Sequence, residues 1–184
     1  MDALARIAAL AHENKGWNYH GNVDLTGFTD GTENPTLAEA SEICLVADGP
    51  GVGASLLLLQ EWRHDLTAWA DAGTAVQERA IGRTKADNAE LDPKPAGAHN
   101  ARTDQDVVGK ILRKNIPIGG VSDPGTLFIG LAADQRTLHT MLLRMAGQHG
   151  EPRDDLTRYT SAHTGAYYVL PPAEAFQVRR LQVD

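Results

Sequence analysis

Residues 27–35 read Gly-Phe-Thr-Asp-Gly-Thr-Glu-Asn-Pro, and the remaining motifs are best followed outward from this stretch. Asp30 stands between two glycines, and an Asn-Pro pair closes the segment with a turn signal. Glycine tolerates positive φ and lets backbone or a ligand approach closely, so this frame predicts a tight, exposed bend that carries the Asp30 carboxylate. An Asp-Gly turn at the end of a hairpin has a similar sequence, so the motif alone fits a functional bend or an ordinary turn.

The composition predicts one globular domain with its own core. The chain has 184 residues, of which 42% are hydrophobic and 22% charged. A formal charge of −7 argues against a nucleic-acid partner, which requires a basic face. The longest apolar runs, at residues 56–59 and 127–131, are too short to span a bilayer, so no membrane association is expected.

Cys44 is the single cysteine, which excludes a disulfide within the chain and fits a reducing, cytoplasmic compartment. It lies in the apolar segment 43–47, so it is predicted to be buried rather than nucleophilic. Residues 1–12 carry Asp2 and Arg6 and lack the order of a secretory signal, which has a cationic region before an apolar one.

Local patterns predict mixed helices and strands. Helical spacing occurs in residues 2–12, and short helices are expected at 36–40, at 65–69 with Asp65 as cap, and after Thr74 as cap to about residue 81. A helix is also predicted at 134–149, with one apolar face formed by Leu138, Met141, Leu142 and Met145. Extended segments are predicted at residues 43–47, 54–62, 111–117, 126–132 and 167–170, which indicates an α+β fold with antiparallel pairing.

The glycine-rich segment 48–55 allows two interpretations. A strand, this loop and then a helix would open a dinucleotide-binding unit. However, the spacing is Gly-x-Gly-x-Gly, and no strand ending in an acidic residue follows at the expected distance. A glycine-rich hairpin that leads into a strand at 54–62 is the preferred interpretation.

Three residues stand out as candidates for chemistry. Asp30 lies on its glycine bend, His99 follows a proline-punctuated loop at residues 86–97, and Arg113 precedes Asn115. The seven histidines include no His-x-x-x-His pair, and no Ser or Cys stands in a nucleophile elbow. Taken alone, each candidate is better interpreted as an ordinary structural or solvated residue.

The ordered combination of motifs is more specific. With residues 27–35, the chain contains Ile-Gly-Arg-Thr-Lys at 81–85, His99, and Ile-Leu-Arg-Lys-Asn-Ile-Pro at 111–117. Shorter matches are Asp-Leu-Thr at 24–26, His-Asp-Leu at 64–66, Thr-Gly at 164–165 and Pro-Pro at 171–172. Together they strongly resemble the dye-decolorizing peroxidase family, and most of all its B-type branch, over nearly the whole chain.

The resemblance implies a b-type haem whose iron is held by His99 on the proximal side. In this family a buried acidic residue orients that histidine. The matching residue here is Asp154, with Asp155 as the one-residue alternative. Such a carboxylate makes the imidazole a better donor to the iron.

The other implied site residues lie in the quoted motifs. The distal set above the iron corresponds to Asp30, Arg113 and Asn115. Arg83 corresponds to an arginine that binds a haem propionate, because a fixed cationic fork suits a carboxylate. Thr32 and Glu33, in the same motif as Asp30, are also assigned to cofactor binding.

The implied activity is a haem-dependent peroxidase that reduces hydrogen peroxide and oxidises dyes, phenols or other small one-electron donors through a ferryl intermediate. Asp30, ionised beside Arg113, would shuttle the peroxide proton, and Arg113 would stabilise the charge that develops as the O–O bond breaks. Electrons would arrive through a surface aromatic residue such as Trp69 or Tyr168.

The chain departs from the family in its first part. The family fold is a dimeric α+β barrel of two ferredoxin-like modules, and this chain matches mainly the second, an antiparallel sheet packed with helices. Residues 1–25 are assigned as a remnant of, or link from, a largely missing first module, and residues 26–184 as the haem-binding peroxidase domain. Because an uncovered sheet face or edge invites association, we expect a homo-oligomer.

Two alternatives remain open on the sequence. The first is a haem-binding protein with little peroxidase turnover because of the truncation. The second is a nucleotide-binding domain that uses the loop Gly49–Gly53.

Overall fold

A computed structural model describes residues 7–17 and 23–176 of the chain. Within those residues the helices are α1 Leu37–Cys44, α2 Leu66–Asp71, α3 Thr74–Ile81, α4 His99–Arg102, α5 Gln105–Val108 and α6 Gln135–Met145. The strands are β1 Ser55–His64, β2 Leu112–Gly120, β3 Asp123–Ala132 and β4 Thr160–Leu170. Short 3-10 turns occupy Gln148–Gly150, Asp155–Arg158 and Ala173–Phe176.

The four strands form one sheet in the order β2-β3-β1-β4, and every neighbouring pair is antiparallel. Helices follow β1, the hairpin β2–β3 comes next, and α6 then leads into β4. This is the β-α-β-β-α-β order of ferredoxin-like folds. The predicted α+β class with a ferredoxin-like antiparallel sheet is therefore confirmed.

β1 begins directly after the glycine-rich loop, as the preferred interpretation of residues 48–55 predicted. Gly49, Gly51 and Gly53 adopt positive φ, which residues with a Cβ atom rarely reach. The Gly53 amide donates to the Val46 carbonyl at 2.9 Å, which closes the loop. Because a strand follows the loop, residues 43–64 lack the strand–loop–helix order that the nucleotide-binding hypothesis requires.

Side-chain alternation gives the sheet two different faces. On the first face, Leu58 of β1 packs with Leu138 and Met141 of α6 in the main core. Further along β1 the same face carries Gln60, Trp62 and His64. The second face presents aliphatic side chains that are only partly buried, namely Leu57, Leu59, Leu127 and Ile129.

The predicted helix caps are mostly confirmed. Asp65 accepts from the Ala68 amide at the start of α2. Gly73 rather than Thr74 caps α3, so Thr74 is the first helical residue. The predicted helix at 134–149 begins after its cap Asp134 but ends at Met145, since Gly147 adopts a left-handed φ of 72°.

The prediction of a strand at residues 43–47 is wrong. Thr36 and Glu39 form a capping box, and the helix that it starts runs through Cys44. Cys44 itself is buried as predicted, with 5% of its surface exposed, and burial raises the pKa of its thiol.

The helix predicted at residues 2–12 is not formed in residues 7–12, while residues 2–6 lie outside the described part of the chain. Ile7 and Leu10 are 82% and 68% exposed, so no apolar packing supports a short helix here. Residues 12–17 instead cross the end of the second sheet face, where the Asn14 amide donates to Glu61 at 2.5 Å. Within residues 7–17 and 23–176, every helix is too short or too polar to span a bilayer.

Candidate active site

A cleft of about 1140 Å³, its open mouth included, lies between the first sheet face, α6 and the loop of residues 23–35. Seven of the predicted site residues line it: Asp30, Thr32, Glu33, Arg83, His99, Arg113 and Asn115. The eighth, Asp154, lies directly behind His99.

His99 is the first residue of α4, and its ring is fixed by Asp154. The Nδ1–H group donates to Asp154 Oδ2 at 2.7 Å, while Asp154 Oδ1 accepts from the Leu156 amide at 2.9 Å. The Asp154 side chain is fully buried and the His99 side chain is 27% exposed. With Nδ1 engaged, Nε2 is the imidazole nitrogen left for a partner in the cleft.

Backbone contacts hold α4 itself in place. The Arg144 side chain on α6 donates to the carbonyl oxygens of Ala101 and Arg102 at 3.1 and 3.2 Å. These two carbonyls belong to the last turn of α4, where a cation is favourable. At the other side, Asn100 donates to the Gly82 carbonyl at 3.1 Å. The His99 ring is therefore positioned by α3, α6 and Asp154 together.

The loop that carries Asp30 is tied to the outer edge of β2. The Asn34 side chain donates to the Arg113 carbonyl at 2.8 Å and accepts from the Arg113 amide at 3.0 Å. The Asn34 side chain thus makes the two hydrogen bonds to Arg113 that a neighbouring strand would otherwise make at this sheet edge. The contact holds the Asp30 loop against the strand that presents Arg113.

Arg113 and Asn115 both point to the first face of the sheet, since they lie opposite Gly130 and Phe128 in the β2–β3 register. Arg113 is partly buried, and its Nε atom has no hydrogen-bond partner within the described parts of the chain. A buried guanidinium nitrogen in a cleft is a donor prepared for an anion or a polar ligand.

Arg83 lies at the rim of the cleft between two carboxylates. Its Nη2 atom donates to Glu33 at 2.6 Å and to Glu90 at 2.7 Å. Lys94 contacts Glu90 at 2.9 Å, and these contacts with Lys94 lower the pKa of Glu90. The rim is therefore a charged network that joins the Asp30 loop to the proline-punctuated loop.

The structure adds cleft residues that the sequence interpretation missed. Gln60, Trp62 and His64 line the cleft from alternate positions of β1. His64 is mostly buried, its Nε2 atom lies 2.8 Å from the Thr126 hydroxyl, and desolvation lowers its pKa from 6.5 to about 4. Their spacing of two residues after the leucine run was the available signal, but it becomes informative only once β1 is known to be a strand.

The structure places some of the remaining predicted residues as expected and others elsewhere. Asp155, the alternative partner of His99, pairs instead with Arg158 at 3.0 Å. Trp69 is not at the surface, because it is 5% exposed and donates its indole N–H to the Thr26 carbonyl. Tyr168 is half exposed, as a surface aromatic residue should be.

In the parts of the chain that the structure covers, His, Cys, Asp and Glu side chains form no group of three suited to a bare metal ion.

Comparison with known proteins gives one consistent result. The family model described as "Dyp-type peroxidase, C-terminal" matches residues 21–175. The dye-decolorizing peroxidase of Mycolicibacterium paratuberculosis is 37% identical over 185 residues, which cover 95% of this chain and 52% of that protein. The dye-decolorizing peroxidase of Rhodococcus erythropolis is 35% identical and is covered to 53%. The chain thus spans about half the length of these curated relatives.

Solved structures agree with this fold. The dye-decolorizing protein from V. cholerae superposes with a TM-score of 0.85 at 41% identity, covering 92% of this chain and 60% of that one. DyPB from Rhodococcus jostii gives a TM-score of 0.87 at 36% identity, with 95% and 60% covered. A variant of the Rhodococcus jostii protein in complex with haem gives 0.86 at 35% identity and the same coverage.

Proposed function

The chain belongs to the Dyp-type peroxidase family, and on that premise we propose that it binds haem b in the cleft and reduces hydrogen peroxide with electrons from small organic donors. The observation that carries this proposal is the convergence of the His99–Asp154 pair with Asp30, Arg113 and Asn115 at one cleft. These residues come from four separate segments of the chain.

The cleft fits a flat, largely apolar group with anionic substituents. Its apolar lining comes from Ile81, Phe128, Met141, Leu142, Met145 and Leu156. Such side chains suit the faces of a macrocycle, while the charged rim at Arg83 suits its carboxylates. The Nε2 atom of His99 is an imidazole nitrogen in the cleft that can ligate iron, because Asp154 engages the Nδ1 atom of the same ring. The residues present therefore fit haem.

The residues that would hold haem have distinct tasks. His99 would ligate the iron, and Asp154 would fix the ring orientation and raise its donor strength through the 2.7 Å hydrogen bond. Arg83 would pair with a haem carboxylate, which would compete with Glu33 and Glu90 for the same guanidinium. When bound, haem supplies the iron redox chemistry that protein side chains lack.

Asp30, Arg113 and Asn115 would act on the peroxide. Ionised Asp30 accepts a proton from one peroxide oxygen and returns it to the other, which turns the departing oxygen into water. The Arg113 guanidinium stabilises the negative charge on that oxygen as the O–O bond breaks. The Asn115 amide supplies a further donor that orients the peroxide.

The proposal is tested by dye oxidation with the purified, haem-loaded chain. We expect oxidation that requires hydrogen peroxide and is lost in His99→Ala but kept in His163→Ala, an exposed histidine of β4. A chain that binds haem through His99 yet oxidises no dye or phenol would contradict the peroxidase proposal. That result would support the alternative of a haem-binding protein with little turnover.

We further propose that a second copy of the chain covers the second sheet face. Leu57, Leu59, Leu127 and Ile129 are partly exposed on this face although they are aliphatic. A contiguous apolar surface of this kind is typical of interfaces. Its burial in a homo-oligomer would remove these side chains from water and stabilise the haem-binding sheet.

A further inference from the structure

A second aspartate, Asp24, lines the same cleft as Asp30. Its Oδ1 atom accepts from the Thr26 amide at 2.8 Å and from the Thr26 hydroxyl at 2.5 Å. These contacts belong to a turn in which the Asp24 amide donates to the Phe28 carbonyl at 3.0 Å. The roles proposed above for the cleft leave Asp24 unused.

The local backbone places Asp24 on the same side as Asp30. Val23 forms an antiparallel bridge with Thr29, and Asp24 bonds to Phe28 across the turn. Asp30 lies two residues beyond Phe28, and alternate residues of an extended segment share a side. The Asp24 and Asp30 carboxyl groups therefore line the cleft together.

The surroundings of Asp24 favour its protonated form. Burial raises the pKa of Asp24 above its ordinary value, although hydrogen bonds from Thr26 oppose this, and the charge of Asp30 raises it further. The other titratable or charged side chains of the cleft are Glu33, His64, Arg83, His99 and Arg113. Two carboxyl groups in one site commonly divide the acid and base tasks between them.

The reduction of peroxide consumes protons as well as electrons. One hydrogen peroxide, two electrons from the donor and two protons give two waters, so protons must enter the cleft in every turnover. Proton return by Asp30 within one peroxide does not supply them. A protonatable group that lines the same cleft as Asp30 would meet this need.

We propose that Asp24 holds one proton in the cleft and passes it to the Asp30 carboxylate. Asp24 is left as a carboxylate and regains a proton from solvent, so atoms and charge balance without any further reactant. The step rests on the proposed peroxide reduction, and Asp24 acts through Asp30 rather than on peroxide.

The variant Asp24→Asn distinguishes proton transfer by Asp24 from its structural support of the turn. The asparagine carbonyl can still accept both hydrogen bonds from Thr26, but the side chain no longer carries a transferable proton. Asp48→Asn is the matched control, because it removes an exposed carboxylate in the glycine-rich loop. Peroxide turnover of the haem-loaded chain is measured against pH at saturating electron donor.

The wild-type rate should fall as pH rises through the range in which Asp24 loses its proton. Asp24→Asn should be slower by about tenfold below that range and flat across it, so that the two rates converge at high pH. Asp48→Asn should follow the wild type. A purely structural role predicts instead the same loss at every pH, and that result would overturn the proposal.

A second readout does not depend on turnover. Infrared spectra of the wild-type chain should contain a protonated carboxyl band that persists above the ordinary aspartate pKa, about 3.9. The band should vanish in Asp24→Asn and remain in Asp48→Asn. A wild-type chain without this band contradicts the proton-holding role of Asp24. A chain with the band but without peroxide turnover contradicts only the proposed function.

Discussion

At the scale of single residues, the cleft brings together groups whose proposed roles depend on one another. The His99 ring is held by a fully buried carboxylate, and Arg113 keeps a buried nitrogen for a ligand. The unpartnered Arg113 nitrogen costs stability unless something returns the lost solvation, since a buried polar group without a partner is unfavourable. A bound anionic substrate or cofactor would return it.

Arg113→Leu should slow the reaction of the haem-loaded chain with hydrogen peroxide by at least about tenfold, because the charge on the departing oxygen loses its stabilising cation. Stopped-flow absorption measures this rate directly. Arg136→Leu is the control, since that side chain is 90% exposed at the start of α6. Traces that are the same for Arg113→Leu and wild type would refute the assignment.

The lowered pKa of His64 predicts that the free energy of unfolding depends on pH. Its pKa is lowered by burial from 6.5 to about 4, so the folded chain binds this proton less readily than the unfolded chain. The stabilisation is complete above pH 6.5 and is lost as pH falls through about 4.

Denaturant unfolding across this pH range tests the effect of His64. The wild type should lose up to about 3 kcal/mol more than His64→Gln between the two pH values. The exposed His163→Gln should behave as wild type. Parallel pH profiles for His64→Gln and wild type would show that His64 is not the cause.

At the scale of elements, one asparagine connects the two halves of the distal site. Asn34 pairs with both backbone groups of Arg113 and so fixes the Asp30 loop to the edge of β2. Gln105 adds a second connection, because its side chain donates to the Glu33 carbonyl at 3.2 Å and accepts from the Ile111 amide at 2.9 Å. The loop is thereby held by two contacts directly at the end of its acidic segment, through Glu33 and Asn34.

Asn34→Ala should lower the free energy of unfolding by about 1–3 kcal/mol, because two edge hydrogen bonds are lost. It should also slow the peroxide reaction, since Asp30 and Arg113 are no longer held together. Asn34→Asp keeps the acceptor for the Arg113 amide and should lie between alanine and wild type. Equal stability of Asn34→Ala and wild type by urea denaturation would argue against this clamp.

Element types were predictable where local chemistry and packing agree. The helix α6 and the strands β1, β2 and β3 were predicted within a few residues, because their apolar periodicity matches the face that each buries. The segment 43–47 was mispredicted because its apolar run was weighed without the capping box that starts α1 upstream. The pairing of Asn34 with Arg113 joins residues far apart in sequence, and no local pattern encodes it.

The grouping of the candidate residues at one cleft was predictable only through the ordered motifs. Asp30, His99 and Arg113 are ordinary residues one by one, and it is the sheet that brings them to one cleft. Gln60, Trp62, His64 and Asp24 were not assigned roles, because their functional meaning depends on side-chain direction. Direction follows from strand register, which the sequence does not specify across β1, β3 and β4.

At the scale of the whole molecule, the sheet has one face for the cleft and one aliphatic face. Static light scattering should give a mass of at least twice the 19.8 kDa chain, because association buries the second face. Leu59→Arg should shift the mass toward the monomer, whereas Val121→Arg, at a fully exposed turn residue, should leave it unchanged. A wild-type chain that stays monomeric at micromolar concentration would contradict the proposed oligomer.

The account as a whole depends on His99 Nε2 as the iron ligand in the cleft. The most direct measurement is the absorption spectrum of the chain titrated with haem, compared with His99→Ala and with His163→Ala. We predict the intense Soret band of histidine-ligated haem for the wild type and His163→Ala, and its loss or displacement in His99→Ala. An unchanged spectrum and affinity in His99→Ala would contradict the central claim.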